Sequence, residues 1–195
     1  MFKRAAMFGL DTRITLIIFM SISAIGFASF YSSLNSITAT QYSTDMKSVI
    51  QAYQNFKNDT GYKITEFSNP YYYNISQLVS LPIDGSKPYT IKFKGPYIDY
   101  KLTGANNLIE SPSLGGNLAI VSRSYSNSWT SAAHPGTAKC ADTDCFKWLV
   151  FINVPKAFAE EIDLSVDGST SPDTGGIRLK ANGSNYDVFM PIEAE

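Results

Sequence analysis

The feature that most constrains this chain is an uncharged apolar run near its N-terminus. Residues 14–31 read ITLIIFMSISAIGFASFY, and Lys3, Arg4 and Arg13 precede them. As a helix, this run would rise about 27 Å, close to the ~30 Å hydrocarbon core of a bilayer. The preceding basic residues predict a cytoplasmic N-terminus, because such residues are enriched on the cytoplasmic side. We therefore expect a single-pass membrane anchor with the rest of the chain outside.

Two other interpretations of this run are open. Residues 26–28, Gly-Phe-Ala, form a small-x-small site before Ser29 at which a secretory signal could be cut. Alternatively, the leader MFKRAAMFG could be cut after Gly9, which would leave the apolar helix on the mature protein. The order of a short basic leader, a glycine and a long apolar segment fits this last alternative.

Together with the leader, three later segments resemble type IV pilins and the pseudopilins of type II secretion. They are VIQAYQNFKNDTGYKITEFSNPYYYNISQLV at 49–79, GPYIDYKL at 95–102 and AEEIDLSVDGSTSPDTGGIR at 159–178. The resemblance implies cleavage by a prepilin peptidase after Gly9 and N-methylation of Leu10. It implies a filament subunit whose partners are homologous pilin subunits and an inner-membrane assembly platform. The expected localisation is the bacterial inner membrane, followed by an extracellular or periplasmic filament.

The chain departs from the family pattern at one position. Such proteins carry a Glu at the fifth mature position, which here is Ile14. Asp11 is the only acidic residue among the first 35, and the mature amino group of Leu10 would need a partner when buried in apolar surroundings. We therefore expect Asp11 to act in assembly, either by pairing with a neighbour's N-terminus or in a subunit at a filament tip.

The composition excludes several classes of function. The 195 residues carry 16 basic and 17 acidic side chains, a net charge of −1, whereas nucleic-acid binders usually show a strongly basic face. A single histidine, His134, and two cysteines leave too few side chains for a multi-ligand zinc site or a catalytic triad. We therefore expect a non-enzymatic protein of one domain with an appendage.

The patterning of the rest of the chain predicts an α+β fold. Met46, Val49, Ile50 and Tyr53 follow helical spacing and mark one buried face of a helix that ends before Gly61. Alternating or apolar runs predict strands at 89–93, 118–123, 146–154, 176–180 and 186–191, with a helix at 156–162 and a turn at Asn182-Gly183. A long N-terminal hydrophobic helix would thus pack on a C-terminal antiparallel sheet in a pilin-like arrangement. The expected parts are a leader at 1–9, a transmembrane part of the helix at 10–31, its soluble part at 32–60 and a globular domain at 61–195.

Two candidate sites lie in the C-terminal half. Cys140 and Cys145 are close in sequence and would form a disulfide in an exported domain. Oxygen-bearing side chains alternate after residue 166 and could hold calcium from a tight loop; they are Asp167, Ser169, Ser171 and Asp173. The alternative is an Asp-Gly turn whose Asp side chains bond their own backbone. The expected function is a structural subunit of a type IV pilus or type II secretion pseudopilus. The alternative is a membrane-anchored or secreted periplasmic binding module.

Overall fold

The computed structural model describes residues 4–67, 72–80, 92–103, 107–125, 129, 140 and 143–195, with the backbone alone for 4–11, 28, 31 and 32. It divides the chain into two compact units, Met1–Ile37 and Thr38–Glu195. The second unit contains an antiparallel sheet and helical elements, which confirms the α+β class.

Helix α1 runs from Arg4 to Thr60 and contributes to both units. In the second unit one stripe of it is buried at helical spacing, because these apolar side chains fall on one face; the stripe includes Met46, Val49, Tyr53 and Phe56. The helix ends at Gly61, whose φ of 75° and N–H donation to the Lys57 carbonyl at 2.8 Å form a left-handed cap. The predicted buried face and the predicted end of this helix are both confirmed.

The sheet has six antiparallel strands in the order β1-β2-β3-β4-β6-β5. Two short strands at one edge were not predicted. The strand bounds are β1 Lys101–Leu102, β2 Ile109–Glu110, β3 Asn117–Ser124, β4 Cys145–Pro155, β5 Arg178–Asn182 and β6 Asn185–Ala194. Strand β4 lies near the centre, and its near-continuous apolar sequence reflects burial on both faces.

Two helical elements complete the second unit. Helix α2, Lys156–Asp167, follows β4 directly and ends at Gly168 in the left-handed region with a φ of 71°. A 3-10 helix spans Ile75–Leu78. Ala159 and Ile162 of α2 join the stripe of α1 in one core cluster with Ile120, Leu149, Phe151 and Val188 of the sheet. We call the side of the sheet that faces these helices the helical face.

The strand predictions hold with shifted ends. Strands β3, β4 and β6 contain the predicted segments, α2 extends five residues past Ile162, and β5 begins two residues after Gly176. Gly183 and Ser184 form the turn between β5 and β6, one residue later than the predicted Asn182-Gly183, because Asn182 ends β5 and pairs with Asn185. Of the strand predicted at 89–93, Lys92 and Phe93 are not in a strand and the remainder lies outside the described residues.

The prediction of a transmembrane part of the helix at 10–31 is wrong. A single-pass span requires about 20 consecutive apolar residues in one helix. In the portion of the chain that the structure describes, no helix is both long and apolar enough to cross a membrane. The single-pass inner-membrane localisation that rested on this segment is therefore contradicted.

Candidate functional site

The first candidate surface is the apolar part of α1 in the first unit. Ten large apolar side chains from Ile14 to Phe30 are 50–72% exposed. Five of them, at positions 16–20, are consecutive. Because successive helical residues are about 100° apart, five in a row surround the helix. This apolar helix segment, residues 14–30, thus exposes apolar side chains in every direction rather than along one stripe.

The residues predicted to act in processing and assembly lie just before this segment. Gly9, Leu10 and Asp11 are helical in α1. Their side chains lie outside the described part of the structure, so cleavage after Gly9 and an assembly role for Asp11 stay predictions. Ile14, which occupies the position of the family's Glu, is half exposed.

The second candidate site lies on the side of the sheet opposite the helical face. Strand register places Arg123 of β3, Trp148 of β4 and Phe189 of β6 on this side. Arg178 and Lys180 of β5 pair with Phe189 and Asp187 and share the same side. Trp129, from the chain after β3, is fully buried against it. We call this set the cation–aromatic cluster: Arg123, Trp129, Trp148, Arg178, Lys180 and Phe189.

Aromatic rings lie beside both guanidinium groups of the cluster. Trp129 lies edge-on to Trp148 and to Phe189, with ring centroids 4.8 Å apart in both cases. The Arg123 guanidinium carbon lies 3.9 Å from the centroid of Trp129. The guanidinium of Arg178 lies 4.8 Å from the ring of Tyr125 and 6.0 Å from that of Trp148. Cation–π attraction stabilises both arginines at the edge of an apolar cluster.

The cluster is rich in buried hydrogen-bond donors without acceptors. Arg123, Arg178 and Lys180 are only 8%, 4% and 5% exposed. Within the described residues, four of their nitrogen atoms and that of the Trp129 indole have no hydrogen-bond partner; they are Arg123 Nη1 and Nη2, Arg178 Nε, Lys180 Nζ and Trp129 Nε1. Such groups are rare in folded proteins, because an unpaired buried donor is costly.

Burial changes the proton affinity of two of these cations. Desolvation lowers the pKa of Arg123 to about 10, although the carboxylate of Asp173 opposes this effect. The pKa of Lys180 falls to about 8, because burial and the charge of Arg123 both disfavour the ammonium, and Asp187 compensates only in part. Proximity of Arg123 and Lys180 thus concentrates positive charge on one side of the sheet.

Two carboxylates lie near the cluster and already accept hydrogen bonds from other groups. Asp187 Oδ1 accepts hydrogen bonds from Asn153 N–H and from Asn182 Nδ2, both at 2.9 Å. Asp173 Oδ1 accepts from the backbone N–H of Trp129 at 2.7 Å, which fixes that tryptophan over the sheet. Across the described part of the chain, neither acid forms an ion pair with Arg123 or Lys180.

Of the four residues predicted to hold calcium, Asp167 ends α2, and Ser169, Ser171 and Asp173 lie in the loop between α2 and β5. The carboxylate of Asp167 accepts from the N–H groups of Gly176 and Ile177, both at 2.8 Å. A Cβ on Gly175 would stand 2.2 Å from Asp167 Oδ2, so this glycine permits the close approach. Asp173 is exposed and bonds Trp129 as above, Ser169 is exposed and Ser171 is half-buried.

A buried acid of α2, Asp163, was not among the four predicted calcium ligands. Asp163 of α2 is fully buried and its Oδ2 accepts from the N–H of Ser171 at 2.8 Å. Burial raises the pKa of Asp163 to about 6, and the charge of Asp167 adds to this effect. Among the described residues, no group of three or more His, Cys, Asp or Glu side chains is placed to hold a metal ion. Calcium binding stays a prediction.

The disulfide is present as predicted. Cys140 and Cys145 are bonded, with their Cα atoms 5.8 Å apart. Cys145 begins β4, so the bond ties the preceding loop to the sheet. His134 of that region lies outside the described residues.

The fold and these sites define the chain as an α+β protein with a six-stranded antiparallel sheet. Comparison with known proteins adds no relative, since no family model, no curated protein and no solved structure matches this sequence.

The sequence analysis missed the cation–aromatic cluster. Arg178 and Lys180 alternate with apolar residues, a pattern typical of a strand with one solvated face. The available signal was Trp129, a large apolar residue in a loop rich in Ser, which needs a surface to cover.

Proposed function

We propose that this protein is a structural subunit of a filament, built by packing the apolar helix segment against the same segment of neighbouring copies. The observation that carries the proposal is the exposure of apolar side chains around the whole circumference of residues 14–30. A helix that is apolar on all sides is stable in water only when several neighbours surround it.

The magnitude of the exposed surface supports this proposal. Full burial of one large apolar side chain stabilises a protein by roughly 1.5–3 kcal/mol relative to exposure. Ten such side chains lie between Ile14 and Phe30. Their combined burial among several neighbours, about 15–30 kcal/mol, exceeds the cost of adding one copy to an assembly, which is about 4–15 kcal/mol.

Identical copies are the occupants that fit this surface. A single partner helix would cover one stripe and leave the remaining circumference exposed. Repetition of one contact generates a ring or an open filament, in which every copy has neighbours on several sides. The net charge of −1 provides little repulsion between copies. The resemblance to pilins agrees with this arrangement. On the basis of this resemblance we also propose that Gly9 precedes the mature N-terminus and that Asp11 pairs with the Leu10 amine of a neighbour.

Assembly in detergent-free buffer tests the proposal. The purified full chain should sediment as large particles and show filaments of constant diameter by negative-stain electron microscopy. A charge in the segment, as in Ile17→Lys or Ile25→Lys, should abolish assembly, because a buried unpaired ammonium is costly. The matched control is Gln51→Lys, at an exposed position of the same helix in the second unit, and it should assemble like the wild type.

Cross-linking then identifies the contact. A Phe19→Cys variant should form disulfide-linked dimers under oxidising conditions, whereas Lys47→Cys, on the exposed side of α1 in the second unit, should not. A wild-type chain that stays monomeric at tens of micromolar, or Ile17→Lys filaments equal to those of the wild type, would refute the proposal.

A further inference from the structure

The cation–aromatic cluster contains three cations, and Asp173, Asp187 and Asp163 offset part of their charge without forming ion pairs with them among the described residues. Three cations are at least nine-tenths buried, and in the described structure none has a carboxylate at ion-pair distance. Arg178 donates through Nη1 to the carbonyls of Gly175 and Ile177, but its Nε has no acceptor. An isolated buried charge destabilises a fold unless a counter-charge is supplied.

The unpaired atoms of the cluster are all donors. Two nitrogens of Arg123, the indole nitrogen of Trp129, Nε of Arg178 and Nζ of Lys180 carry hydrogens and have no acceptor. A ligand that satisfies them must provide several oxygen acceptors and negative charge. A phosphate group presents up to four oxygens and matches the planar fork of arginine, whereas a carboxylate presents two.

We propose that the cation–aromatic cluster is a binding site for a phosphate group, either as the free ion or as part of a small phosphorylated molecule. Arg123 provides two donors and Trp129 Nε1 a third. Lys180 and Arg178 of the edge strand β5 lie on the same side of the sheet and each provide one further donor without an acceptor. The site is formed within the second unit and does not depend on filament assembly.

The two tryptophans allow binding at this site to be measured by fluorescence. The chain has two tryptophans, Trp129 and Trp148, and both belong to the cluster. Intrinsic tryptophan fluorescence therefore reports on this site alone. Titration of the full chain with inorganic phosphate, at constant ionic strength set by sodium chloride, should change the emission along a saturable curve with a Kd below about 1 mM. A phosphate concentration tenfold above Kd should raise the melting temperature by about 3–6 °C.

Variants separate a binding site from a structural cation cluster. Arg123→Gln and Lys180→Met should weaken phosphate binding at least tenfold. Without phosphate, Lys180→Met should melt at the same temperature as the wild type or higher, since it removes an unpaired buried ammonium. The control Lys156→Gln, at an exposed lysine of α2, should bind phosphate like the wild type.

Further anions identify the ligand class. Methyl phosphate should bind comparably if the site accepts a phosphate monoester, and weaker binding than inorganic phosphate would assign the free ion. Acetate should bind at least tenfold more weakly. Absence of a saturable fluorescence change up to 10 mM phosphate, equal binding of acetate, or unchanged binding in Arg123→Gln and Lys180→Met would overturn the proposal.

Discussion

The ammonium nitrogen of Lys147 lies 3.1 Å from Oε1 of Glu193, on the helical face of the sheet. Glu193 also accepts hydrogen bonds from the Tyr53 hydroxyl and, at 2.6 Å, from Lys57, both on α1. One carboxylate of β6 therefore joins the helix to two neighbouring strands. Burial by itself would raise the pKa of Glu193, but the bonds from Lys57, Tyr53 and Lys147 lower it to about 2.

Removal of this charge should destabilise the protein strongly. Glu193→Gln leaves the buried Lys147 without a counter-charge, and we expect a loss of about 2–4 kcal/mol in the free energy of unfolding. Urea denaturation at pH 7 measures this loss. Glu160→Gln, in an exposed pair with Lys156, should cost less than about 0.5 kcal/mol, and equal losses in both variants would contradict the assignment.

The same carboxylate predicts an acid transition. Because the folded pKa of Glu193 lies below its ordinary value of 4.5, its contribution is fully present above pH 4.5 and is lost as the pH falls towards 2. Wild-type stability should decrease steeply over this range, and Glu193→Gln should show a shallower decrease. Parallel pH profiles of the melting temperature for the two proteins would exclude Glu193 as the source.

Asp163 should affect the pH dependence of stability in the opposite direction to Glu193. Its folded pKa of about 6 exceeds the ordinary value of 3.8, so its contribution is present below pH 3.8 and is lost as the pH rises through 6. We expect Asp163→Asn to keep the hydrogen bond from Ser171 N–H. Because the variant has no carboxyl group to ionise, it should not lose stability as the pH rises, and it should be more stable than the wild type by about 1–2 kcal/mol at pH 7. Thermal unfolding at pH 4 and pH 7 measures the difference, which should be near zero at pH 4.

The disulfide should contribute modestly to stability. The loop that it closes is short, and the chain-entropy relation gives only about 2 kcal/mol for such a loop. A variant with Cys140→Ser and Cys145→Ser should lose this amount of unfolding free energy in urea denaturation. A reductant should lower the urea midpoint of the wild type and leave that of the variant unchanged. Mass spectrometry under non-reducing conditions should find the two cysteines joined in fresh protein. A loss above about 4 kcal/mol would show that the bond also holds native contacts of β4.

Processing after Gly9 is a separate prediction from the pilin resemblance. Gly9→Leu should block cleavage in the native host and leave the longer precursor, whereas the wild type should begin at a methylated Leu10. Intact-mass measurement and N-terminal sequencing distinguish these products. A variant that matures to the same mass as the wild type, or a wild-type chain that begins at Ser29, would exclude this processing.

The elements with local signals could be predicted from the sequence alone. The stripe of Met46, Val49 and Tyr53 repeats at the helical period, and Gly61 can adopt the positive φ that ends α1. Strand β4 is recognisable because burial on both faces makes its sequence nearly continuously apolar. The turn at Gly183-Ser184, predicted to within one residue, and the disulfide connect residues that are close in the chain, so few alternatives compete.

Contacts between side chains that are distant in the sequence could not be predicted and are seen only in the folded protein. Glu193 bonds Tyr53 and Lys57, which are separated from it by 140 and 136 residues. Arg123 and Lys180 share one side of the sheet because of the pairing registers of β3, β4, β6 and β5. Trp129 converts that side from a solvated face into a buried one. Local periodicity indicates which face of each strand is apolar, but it does not specify strand order or which loop covers a face, since both depend on packing across the whole sheet.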